Sequence, residues 1–82
     1  MAWFELIWEW DEEDGNVAHI REHGLTPEEV EHVLENPIAE DHSRSSGRPI
    51  VFGYTPDGRK IAVVYDELDA TTLYPISAFE VE

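Results

Sequence analysis

Cysteine is absent from this chain, so neither a disulfide nor a thiolate metal site can reinforce its core. Cations are scarce as well. Five Lys and Arg stand against nineteen Asp and Glu, a formal net charge of −14. A surface this acidic repels phosphate backbones at long range, whereas nucleic-acid affinity normally comes from neutralising phosphates with cations. No apolar run approaches the length of a membrane span, and the N-terminus has no basic region followed by a long apolar core. A soluble, cytoplasmic domain without membrane contact is expected. Glycine-rich phosphate loops are missing too, since Gly47, Gly53 and Gly58 are isolated. No Gly-x-Ser-x-Gly elbow accompanies Ser43, Ser45 and Ser46, which argues against a serine hydrolase.

What is present suffices for one small folded unit. Eighty-two residues allow a single domain, residues 1–82, around one core. A hydrophobic content of 41% is too high for a disordered chain despite the charge. The acidic surface has two readings, a solvated coat that keeps a small protein soluble or a face for a basic partner.

The stretch from Asn16 to Pro37 carries the strongest local signals. Gly24 suits the left-handed conformation that ends a helix after His23. Thr26 as cap, Pro27 in the first helical position and Glu29 three residues after the cap then define a new helix start. Leu25 and Val30 have the spacing of a hydrophobic staple.

Alternation of Phe4, Leu6, Trp8 and Trp10 with Trp3, Glu5, Ile7 and Glu9 predicts a strand over residues 3–10, with Trp3 and Ile7 on a partly apolar second face. A helix with an acidic first turn is predicted over 11–23, and a second over 27–35 with Val30, Val33 and Leu34 inward. Residues 38–47 read as a polar loop. Strands at 49–54 and 60–65 flank Thr55-Pro56-Asp57-Gly58-Arg59, a hairpin signal because Pro presets the first turn dihedral and Gly accepts positive φ. Residues 67–71 read as a turn, and 72–81 as a last strand in which Pro75 marks an edge or a bulge. The order is β-α-α-β-β-β. It predicts an α+β domain with two helices packed on an antiparallel sheet.

Few groups can carry chemistry. His19 and His23 lie four apart, a spacing able to present two imidazoles to a metal, with Glu22 nearby and His32 and His42 in principle able to converge. No third ligand stands at a diagnostic spacing, and His23 beside Gly24 is explained by the helix end. Neither metal nor cofactor is therefore expected. Arg44, Arg48, Arg59 and Lys60 all fall between residues 44 and 60 and could gather at one end of the sheet. Metal-free RNA cleavage needs a base for the 2′-hydroxyl, a cation for the phosphate and an acid for the leaving oxygen. Arg48 with His23 or His42 could fill parts of that scheme, or these residues could be ordinary surface charges.

The order of elements, with His23-Gly24-Leu25-Thr26-Pro27-Glu28-Glu29 at the helix junction, resembles the BrnT-type toxins of the RelE-like ribonuclease superfamily. The likeness covers nearly the whole chain. It takes in Phe4-Glu5…Trp10-Asp11, Arg48 before a strand, Ile61-Ala-Val-Val-Tyr65 and Ile76-Ser-Ala-Phe79. It implies a RelE/BrnT-like fold and a bacterial toxin–antitoxin module. It also implies a metal-independent endoribonuclease acting on RNA, with His23 as acid or base and Arg48 stabilising the phosphate. The implied partner is a small DNA-binding antitoxin. The chain departs from the family pattern at Glu22, where a Lys usually precedes His-Gly, and at Phe79, where Arg usually ends the strand. Tyr74-Pro75 also stands where a basic residue is favoured. The departures point to weakened or lost activity and to a second expectation, a non-catalytic acidic module that engages a basic protein. A homodimer is left open by either.

Overall fold

The computed structural model describes residues 4–11 and 13–81. They form an α+β domain with a five-stranded mixed sheet and two helices. In chain order the elements are β1 (Glu5–Leu6), α1 (Asn16–Glu22), α2 (Pro27–Glu35), β2 (Ala39–His42), β3 (Pro49–Tyr54), β4 (Lys60–Asp69) and β5 (Thr72–Glu80). The sheet order is β1-β5-β4-β3-β2. All neighbours run antiparallel except β1, which pairs parallel to β5 through Glu5 with Thr72 and Leu6 with Leu73.

The helix junction forms as the sequence specifies. Gly24 has φ +74°, and its N–H and that of Leu25 bond back to the carbonyls of Arg21 and Ile20. This pairing ends a helix with its last carbonyls satisfied, and the Ile20–Leu25 contact in the core accompanies it. Thr26 Oγ1 accepts from the Glu29 N–H at 3.3 Å, while Glu29 Oε1 accepts from the Thr26 N–H at 3.0 Å. The box is complete, and the staple residues Leu25 and Val30 are both buried.

One face of the sheet carries the core. Val51, Ile61, Val63, Tyr65 and Ala78 meet Ile20, Leu25, Val30, Val33 and Leu34 from the helical layer. Gly53 on β3 is required by this packing. A Cβ there would lie 2.9 Å from Val33 Cγ1, closer than side chains approach, so only glycine lets α2 sit this near the strand. On the opposite face, register places Ala62 between Phe52 and Phe79, and the two rings flank a buried Ala62.

Asn16 ties the N-terminal segment to the sheet. It is 4% exposed. Its amide donates to the carbonyls of Ile7 and Pro75 at 2.8 and 2.9 Å, and its Oδ1 accepts from the Glu9 N–H at 2.8 Å. A buried amide with three partners is the arrangement that burial demands.

Five sequence expectations are corrected. The sheet is mixed, not purely antiparallel, because β1 returns beside the last strand. Residues 39–42, expected within a loop, form the edge strand β2, so the order is β-α-α-β-β-β-β. All four β2 residues are exposed, so no apolar alternation marks them. The first strand, expected over 3–10, forms ladder pairs only at Glu5 and Leu6, with Trp3 outside the described residues. Pro75 explains the stop: it has no N–H to extend the ladder and sits at a register shift between β4 and β5. It marks a bulge as expected, although β5 is an internal strand. The first helix starts at Asn16, not at residue 11, and has no acidic residue in its first turn. Asp11 instead accepts from the N–H groups of Glu13 and Asp14 in a turn before the helix. Finally, β4 runs on to Asp69 and pairs with Thr72, so the turn expected at 67–71 narrows to Ala70 and Thr71.

Candidate functional site

His23 and Arg48 belong to different elements and have different contacts. His23 is the C-cap of α1, where its ring meets His19 edge-on at 5.8 Å and Phe79 at 6.4 Å. Arg48 ends the β2–β3 connection, and its Nε is paired with Asp66 Oδ1 at 2.9 Å. Phe79 is in register with Ala62, and Asp66 lies four residues further along β4. At about 3.3 Å per strand residue, that separation is roughly 13 Å. Neither side chain lines either of the two clefts described below.

The other cations are also engaged. Arg59 pairs with Glu29 and with Asp57, and its Nη1 donates to the Gly24 carbonyl at 3.2 Å. It therefore fastens the β3–β4 turn to the helix junction. Its guanidinium is pushed above its ordinary range by the Asp57 hydrogen bond first and the Glu29 bond next. Arg21 lies over the Trp10 ring at 5.5 Å, a cation–π distance. Among the described residues Arg44 and Lys60 form no ion pair. No group of three or more His, Asp or Glu placed to hold a metal occurs among the described residues, and no helix is long and apolar enough to cross a membrane.

Two clefts mark the surface. One, of about 440 Å³, lies beside α1 and is lined by Trp10, Asp11, Val17, Ala18, Arg21 and Glu22. The other, of about 390 Å³, opens between the C-terminus of α2 and the β4–β5 turn. Its apolar walls come from Phe4, Leu34, Pro37, Val51, Ala70 and Leu73, and its carboxylates are Glu35, Glu40, Glu67 and Asp69. No Lys, Arg or His lines it.

Tyr65 belongs to the second cleft and is 9% exposed. Burial raises its hydroxyl above the ordinary range, and the negative charges of Glu67 and Glu40 raise it further. Asp69 is held below the ordinary carboxylate range, chiefly by the Thr71 N–H, which donates at 2.9 Å. Asp69 therefore keeps its negative charge at neutral pH.

Sequence reasoning missed this cleft. Tyr65 and Glu67 lie two apart on β4 and so share its inner face, a relation readable from alternation once the strand is known to continue past residue 65. Glu40 joins them only because β2 exists, and its exposed residues gave no sign of that. No protein-family model, curated protein or solved structure matches the chain.

Proposed function

We propose that this chain is a non-catalytic binding module on a RelE/BrnT-like scaffold, and that it engages a basic protein partner. The observation that carries the reading is the state of its cations. Arg48 and Arg59 are neutralised by Asp66, Glu29 and Asp57, and Arg21 covers Trp10. That leaves little positive charge for phosphates within a field of −14. The same field speeds encounter with a basic surface and makes the association steeply salt-dependent. By the resemblance, that partner is a small DNA-binding antitoxin and the setting is the bacterial cytoplasm.

The rival reading is a metal-independent endoribonuclease with His23 and Arg48, supported by the family likeness at those two positions. General acid–base catalysis needs its groups free to reach one substrate, and the pairing of Arg48 with Asp66 and the packing of His23 on Phe79 favour the binding module. Titrating the purified domain with a basic protein and with single-stranded RNA across a salt series tests both. The expected result is salt-sensitive binding of the basic protein, with weak RNA binding and intact RNA. Tight binding or cleavage of RNA, removed by His23→Ala or Arg48→Ala, would overturn the reading in favour of the ribonuclease. Growth on induced expression, with and without the adjacent gene, separates the two readings in cells.

A further inference from the structure

The cleft at the C-terminus of α2 combines apolar walls, a rim of one charge sign and the hydroxyl of Tyr65, a residue only 9% exposed. Leu34, Val51 and Leu73 supply apolar surface wide enough for an aliphatic chain, and about 390 Å³ lies within the usual range of small-ligand sites. The Tyr65 hydroxyl has no hydrogen-bond partner among the described residues. Because no fully buried side-chain polar atom lacks a partner among those residues, that oxygen keeps its solvent contact, and the cleft is where Tyr65 lines the surface. That oxygen can exchange its solvent contact for a hydrogen bond from a donor that enters the cleft. The C-terminal end of α2 also borders the cleft at Leu34 and Glu35, and the negative end of a helix favours positive charge.

We propose that this cleft binds an alkylammonium group, its aliphatic stem lying on Leu34, Val51 and Leu73 and its ammonium held by Glu40, Glu67 and the Tyr65 oxygen. The chemistry is selective in both halves. Anions are repelled by every charged group at the rim. A bare inorganic cation gains nothing from the apolar walls, whereas a butylene-like stem does, in the manner of a lysine laid along apolar surface. Two sources carry this group, a lysine side chain of a protein and a free aliphatic amine. The inference deepens the binding-module reading and rests on it for the first source.

The test uses the isotope-labelled domain at neutral pH and constant ionic strength, titrated with n-pentylammonium, with methylammonium and with a capped lysine peptide, and followed by NMR. Saturable shifts confined to the surroundings of Glu40, Val51, Tyr65, Glu67 and Leu73 are expected. Methylammonium should bind at least about tenfold more weakly, since it lacks the stem. Tyr65→Phe, which keeps the ring and the fold, should weaken pentylammonium several-fold, and Glu40→Gln with Glu67→Gln should abolish saturation. Glu28→Gln with Glu80→Gln removes the same charge elsewhere and should leave the affinity unchanged. Equal weakening by both glutamine pairs, equal binding of the two amines, or shifts spread over the acidic surface would overturn the proposal. Lysine-peptide shifts matching those of pentylammonium assign the protein source; pentylammonium binding without them supports the site for a free amine. If a basic protein binds while pentylammonium does not, the site falls and the binding-module reading stands. Pentylammonium binding with no affinity for basic proteins has the reverse meaning.

Discussion

Arg59 is ion-paired with Glu29, the same carboxylate that closes the capping box on Thr26. A hairpin turn and a helix start, thirty residues apart, therefore share one acidic group. The guanidinium also holds the Gly24 carbonyl, so the end of α1, the start of α2 and the β3–β4 turn are joined at a single side chain.

Arg59→Met is accordingly expected to destabilise the domain more than Thr26→Ala, which should cost on the order of 1 kcal/mol as the loss of a cap. Arg59→Lys should recover only part of the difference, because an ammonium cannot reproduce the planar fork that reaches Asp57, Glu29 and Gly24 together. Urea denaturation midpoints of the three variants check the order.

Asn16→Leu should cost about 3 kcal/mol, since the carbonyls of Ile7 and Pro75 and the Glu9 amide lose their partner at once. Asn16→Asp keeps the acceptor but turns a carboxylate toward two carbonyls. Its stability should improve as the pH is lowered far enough to protonate that group. Denaturant unfolding at neutral and acidic pH separates the two variants.

Gly53→Ala should cost about 1–3 kcal/mol by forcing α2 away from β3. The closest contact is with Val33, the Asn36 carbonyl following at 3.3 Å, so Val33→Ala should be less damaging in the Gly53→Ala background than alone. Additive losses in a double-mutant cycle would refute the assignment of that clash.

Acid sensitivity should be traceable to Asp57. The Thr55 hydroxyl, and after it the Arg59 guanidinium, hold this carboxyl below its ordinary value of 3.8. A depressed folded-state value contributes stability that is present above pH 3.8 and lost as pH falls through the lower, folded-state value. The group is exposed, so the effect is a modest shoulder on the acid limb, and Asp57→Asn should flatten it. Thermal midpoints between pH 5 and pH 2 supply the measurement.

Legibility in the sequence followed the range of the forces involved. The Thr26 box, the Gly24 helix end and the Pro56-Asp57-Gly58 turn depend on neighbours a few residues away, and all formed where local rules put them. The strand over residues 60–65 was plain because Ile61, Val63 and Tyr65 alternate toward one core. β2 was hidden because an exposed edge strand needs no apolar residues, only the backbone of β3 beside it. The end of β1 depended on Pro75, nearly seventy residues away by the register, and no local pattern at residues 7–10 encodes that. The site divides in the same way. His23 and Arg48 stood out by their type and spacing, whereas the acidic cleft depends on Glu40, Tyr65 and Glu67 being brought together by two strand pairings.

The parallel pairing of β1 with β5 also sets the order of events during synthesis. Glu5 and Leu6 have no sheet partner until Thr72 and Leu73 exist, and Asn16 cannot complete its bonds until Pro75 has emerged. The two helices and the β2–β4 meander have their mutual contacts without β5, but the segment holding Phe4, Leu6 and Trp8 gains its sheet partner only once residues 72–75 are present. Until then its apolar side chains are available to chaperones. A chain truncated before residue 72 should be protease-sensitive around residues 4–8, where the full domain is protected.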